Sequence, residues 1–110
     1  MITMLTADDV LPANDRLTQY GDGCFTTMCA KNGHIELLAR HLGRLRDACQ
    51  RLAIDFSQWS LLHQGLIDAV SPGVDRVVKV TISRGTGGRG YGTSAVSKPQ
   101  AYIMFSTMPP

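Results

Sequence analysis

The chain has 110 residues, 44% of them hydrophobic and 18% charged, with a formal net charge of +2; this is the size and balance of one globular domain with a core of its own. So slight a cationic excess argues against a nucleic-acid or anionic-membrane partner, which would call for positive charge concentrated on one face. No apolar run approaches the roughly 18 residues that a membrane-spanning helix needs.

Met1 to Leu5 reads as an edge strand, and Asp8 to Asn14, with Pro12 inside it, as a loop. Asp15-Arg16-Leu17 leads into Gly21-Asp22-Gly23, a turn where the backbone must bend sharply or approach something closely. The β-compatible residues Phe25, Thr26 and Thr27 predict a strand over Cys24 to Ala30. Asn32-Gly33 is a type I′ hairpin signal, and His34 to Leu37 returns as the partner strand.

Two helices follow. Leu38, His41/Leu42, Leu45, Ala48/Cys49 and Leu52 recur every three or four residues and draw one apolar stripe, with Arg40, Arg44, Asp47 and Arg51 opposite. Asp47 and Arg51 are spaced for a helix-surface pair. Gly43 in mid-helix costs about 1 kcal/mol relative to Ala, which hints at close packing there. Ser57 is the expected cap of the second helix, with Trp59, Leu62, Leu66 and Val70 inward and Ser71-Pro72-Gly73 as its stop. Arg76 to Ser83 alternates Val78, Val80 and Ile82 with Lys79, Thr81 and Ser83, a strand with one buried face. A glycine-rich loop from Arg84 to Tyr91 precedes the last strand, roughly Ala101 to Thr107. The order of elements predicts an α+β fold, a mainly antiparallel sheet with two helices on one face.

Eight of the eleven cations are arginine, whose planar fork suits phosphate and carboxylate better than ammonium does. In the loop from Arg84 to Tyr91, glycines allow backbone N–H groups near a ligand while Arg84 and Arg89 take an anion; the alternative is a plain hairpin with solvated arginines. The loop lacks the Lys-Ser/Thr ending of a Walker motif. On the first helix, His41 and Arg44 share a face, either as an anion site or as a half-buried histidine beside a surface arginine. Asp22 is either an acid or a capping residue. Cys24 has no base placed beside it, so thiol catalysis is not expected. The three cysteines, Cys24, Cys29 and Cys49, have no metal-ligand spacing. Their odd number and the lack of a signal peptide predict a reducing cytoplasm.

In chain order, Arg16-x-x-Gln-Tyr-Gly-Asp-Gly-Cys-Phe-Thr-Thr27, the hairpin, His41-x-x-Arg44-Leu and Ser83-Arg-Gly-Thr-Gly-Gly-Arg-Gly-Tyr91 resemble the class IV pyridoxal-phosphate aminotransferase superfamily, from about Asp15 onward. Gly21-Asp-Gly-Cys-Phe-Thr-Thr27, Asp47-Ala-Cys-Gln-Arg-Leu52 and Gly87-Gly-Arg-Gly-Tyr91 resemble its lyase branch, which acts on 4-amino-4-deoxychorismate. Aminotransferases of the group usually follow the aromatic residue with Glu, where this chain has Thr26.

The resemblance implies that residues 1–110 form a single small amino-terminal domain of a homodimeric enzyme using pyridoxal 5'-phosphate. The larger domain with the cofactor lysine would then be absent from this chain, since Lys31, Lys79 and Lys98 match no such motif; no catalytic residue and no metal site is expected in it. Arg44 would hold the cofactor phosphate. Arg89 and Tyr91, with Phe25 and Thr27, would meet the small-molecule substrate, aminodeoxychorismate. The alternatives are a class IV aminotransferase domain and a freestanding anion-binding or interaction domain.

Overall fold

The computed structural model describes residues 2–5, 9, 11, 13–85 and 98–108. Their alternation builds a sheet with two unlike faces. In β4 (Arg76–Ser83) the residues Val78, Val80 and Ile82 are buried, while Lys79 and Thr81 between them point the other way. Strand β2 (Gly23–Lys31) does the same with Thr26, Met28 and Ala30, and β5 (Gln100–Thr107) contributes Ala101 and Ile103 to the same side. Register keeps like with like. Thr26 stands beside Val80 and Val80 beside Ile103, whereas Phe25 lines up with Thr81 and Thr81 with Tyr102.

With β1 (Ile2–Leu5) and β3 (His34–Ile35) added, the order is β1-β5-β4-β2-β3, and β4 is central. The β1–β5 pair is parallel and the other three are antiparallel. Helix α2 (Leu38–Leu52) covers the apolar face with Leu42, Leu45 and Cys49, and α3 (Trp59–Ala69) with Leu62 and Leu66. All join one core with the strand residues, each large aliphatic side chain contributing about 1.5–3 kcal/mol of burial. The fold is thus the expected α+β sheet with helices on one face.

Asn32 and Gly33 have φ of 54° and 78°, the two positive values that a type I′ turn requires. The returning strand is shorter than predicted: it ends at Ile35, and Leu37 takes φ 56° as the uncapped start of α2. A short helix that the sequence did not suggest, α1 (Arg16–Tyr20), follows Asp15, whose carboxylate accepts the Leu17 N–H; Gly21 closes it in the left-handed region.

Other local expectations differ from the structure. Helix α3 starts from Gln58 with no side-chain cap, so Ser57 does not fill that role. Among the described residues Asp47 and Arg51 form no ion pair. Gly43 is not closely packed, since a Cβ there would meet nothing within 4 Å. The tight position is Gly23, where a Cβ would run into the carbonyl oxygen of Ile82 on β4.

Candidate functional site

The end of β4 and the turn before β2 are locked together by buried polar groups. Asp15 is fully buried. Its Oδ1 accepts from the Leu17 N–H at 2.8 Å and from the Ser83 hydroxyl, and its Oδ2 accepts from the Tyr102 hydroxyl at 2.6 Å. Burial, and next the bond to Asp15, push the Tyr102 phenol up. The Gly85 N–H donates to Ser83 Oγ at 3.0 Å, and the Gly85 carbonyl accepts from the Arg16 N–H at 2.7 Å. The glycine-rich loop therefore leaves from a fixed post.

Arg84 belongs to that post. Its Nε donates to Asp22 Oδ2 at 2.8 Å, and its Nη1 and Nη2 donate to the carbonyls of Ala53 and Leu52 at 2.9 and 2.5 Å. These are orphan acceptors at the end of α2. Arg84 is thus neither an anion receptor nor a solvated arginine; it fastens a helix end to the turn. Arg16 Nε reaches the same Asp22 oxygen at 2.7 Å. Burial would raise the Asp22 carboxyl, but the hydrogen bonds from Arg16 and Arg84 outweigh it and hold the group below its ordinary value. Asp22 is an ionised tether, a poor general acid.

The strand that follows divides the predicted site residues between two faces. Thr26 points at α2, where Thr26 Oγ1 and His41 Nδ1 share a hydrogen bond of 2.7 Å. Phe25 and Thr27 consequently lie on the open face, with Phe25 62% exposed. Arg44 is exposed on α2, one turn beyond His41. Burial, followed by the charges of Arg44 and Arg40, pushes the His41 imidazole down, so this turn pairs a neutral histidine with two guanidinium groups. Such a donor set fits a phosphate dianion. Arg89 and Tyr91 lie outside the described residues.

Sequence reasoning passed over Lys79. It is half-buried on the open face, with its Nζ 4.5 Å from the centroid of the Phe25 ring. Both line a cavity of about 370 Å³ walled by Leu5, Leu17, Thr81 and Met104 among others. The alternation of β4 already put Lys79 on that face; what it could not give was the ring across from it.

Cys24 and Cys49 come together with their sulfurs 3.8 Å apart. Their mutual hydrogen bond lowers the Cys24 thiol and, with burial, raises that of Cys49. Among the described residues no group of three or more His, Cys, Asp or Glu side chains is placed to hold a metal, and no helix is long and apolar enough to cross a membrane.

Comparison with known proteins adds a family. The aminodeoxychorismate lyase of Vibrio harveyi is 36% identical over 99 residues, which cover 90% of this chain and 36% of that protein. The crystal structure of 4-amino-4-deoxychorismate lyase from Pseudomonas aeruginosa superposes with a TM-score of 0.73 at 38% identity, over 92% of this chain and 36% of that one. A "hypothetical aminotransferase" from Mycobacterium tuberculosis in its PLP-bound form gives 0.74 at 25% identity, over 94% and 36%. The chain spans about 36% of the length of these relatives. The family model for amino-transferase class IV matches residues 23–110, most of the chain, and the chain belongs to that family.

Proposed function

We propose that the protein carrying this chain is an aminodeoxychorismate lyase, a cytoplasmic homodimer that converts 4-amino-4-deoxychorismate to 4-aminobenzoate and pyruvate on the route to folate. The observation that carries this reading is the identity of 36–38% to two proteins of that name over at least nine-tenths of the chain. Thr26 supports it: the aminotransferases expected to carry Glu there would place a carboxylate where this chain has a hydroxyl bonded to His41.

Pyridoxal 5'-phosphate would supply a ring that takes up the electron pair left when the substrate gives up a proton. The chain's own residues bind and orient. Arg44 grips the phosphate of the cofactor through charge-assisted hydrogen bonds. His41, kept neutral and held by Thr26, steadies the same turn of α2. Phe25 and Thr27 line the substrate side, and Arg89 and Tyr91 meet the substrate, Arg89 at a carboxylate across the dimer interface. None of Lys31, Lys79 and Lys98 is assigned as the cofactor lysine, so the chain by itself is expected to be inactive.

The likeness to the Mycobacterium tuberculosis aminotransferase favours a second reading, in which an amino group is passed to an acceptor. One assay separates the two. The natural protein, with pyridoxal phosphate and 4-amino-4-deoxychorismate but no 2-oxo acid, should release 4-aminobenzoate and pyruvate together. Turnover only with a 2-oxo acid present would assign the protein to the aminotransferases.

A further inference from the structure

We propose that Lys79 is a carboxylate anchor, and that the cavity on the open face of the sheet takes a carboxylated six-membered ring. The inference rests on the lyase reading and deepens it by assigning one substrate carboxylate to a residue that neither the motifs nor the relatives' names single out. Lys79 sits in the middle of the central strand, in register with Thr27 on β2 and Met104 on β5. The long side chain of Lys79 is partly buried among Leu5, Leu17 and Met104, a setting in which an anion beside the ammonium is favoured. Among the described residues Lys79 forms no ion pair. Asp9 lines the same cavity.

What Lys79 does have is the Phe25 ring, 4.5 Å from its Nζ. That contact directs the ammonium without neutralising it. The Tyr102 hydroxyl is committed to Asp15, so Lys79 and Thr81 are the donors left for a ligand, and Asp9 is, among the described residues, the one carboxylate in the lining. The cavity, about 370 Å³, falls at the lower end of the roughly 300–1,000 Å³ usual for small-molecule sites. A single cation, with the Asp9 carboxylate in the same lining, suits one carboxylate on a flat ring better than a phosphate dianion, which calls for several donors. The carboxylate sits on the ammonium, and the ring lies against Phe25 and Met104.

The test uses the natural protein and two probes, 4-aminobenzoate and its uncharged analogue 4-aminobenzamide, with binding measured by calorimetry. Lys79→Met keeps the stem and removes the charge. It should weaken 4-aminobenzoate by about tenfold or more, the effect of losing one hydrogen bond to a charged group. The amide should bind both forms alike, and Lys79→Arg should keep most of the affinity for the acid. Circular dichroism checks the fold, and Lys79→Gln replaces Lys79→Met should the latter not fold. Equal binding of 4-aminobenzoate to wild type and variant, or none to the wild type, overturns the site. Lys79-dependent binding by a protein without lyase turnover would uphold the site and overturn the lyase reading instead.

Discussion

Asp22 and Arg84 are both polar residues beside glycines, a setting that invites a catalytic interpretation, yet both are consumed in holding the chain together. The Asp22 carboxylate receives two guanidinium groups, and its folded value lies below the ordinary 3.8. A depressed value means that the unfolded chain binds the proton more readily, so the contribution is present above pH 3.8 and is lost as pH falls through the lowered folded value. Asp22→Asn removes the charge and with it this dependence. Denaturant midpoints followed from pH 6 downward should therefore fall less steeply below pH 3.8 in the variant than in the wild type. Parallel profiles would show that Asp22 titrates alike in both states.

At the scale of elements, α2 and β2 depend on contacts that neither makes alone. Helix α2 ends at Ala53 with φ 54°, a left-handed conformation that costs a non-glycine residue roughly 1–2 kcal/mol. Arg84 offsets part of that cost by donating to the carbonyls of Leu52 and Ala53. Strand β2 begins where Gly23 presses on β4, and a side chain there would meet the Ile82 backbone. Because backbone yields less readily than a flexible side chain, Gly23→Ala should lower stability by about 1–3 kcal/mol, within the range for overpacking. Gly43→Ala, with open space around it, should instead stabilise α2 by up to about 1 kcal/mol. Thermal melts of the two variants should move in opposite directions, and a shared direction would contradict the packing described at Gly23 and Gly43.

For the whole molecule, the sheet separates two kinds of surface. The helix side carries the arginine-rich turn of α2, and the open side carries Phe25, Thr27 and Lys79. If Arg44 holds the cofactor phosphate, Arg44→Ala in the natural protein should weaken pyridoxal phosphate by at least about tenfold, because charge-assisted hydrogen bonds contribute about 1.5–3 kcal/mol each. Alanine is the better helix former, so α2 should persist. Fluorescence titration of the apoprotein measures the affinity, and an unchanged value in a folded variant would reject the assignment. Period and turn chemistry were enough, without coordinates, to give the span of β4, the Asn32-Gly33 hairpin, the α+β class and the apolar stripe of α2 through Leu42, Leu45 and Cys49, because those signals act between residues a few positions apart. Leu52, at the end of that stripe, is exposed. Helix α1 escaped them, since five residues are too few to show a period. The Asp15–Tyr102 bond, the Arg84 clasp on α2, the Thr26–His41 link and the Lys79–Phe25 pair join residues 15 to 87 positions apart or on different elements. Only the closed fold chooses such partners, because burial and strand register, which no local pattern specifies, decide which donors meet which acceptors.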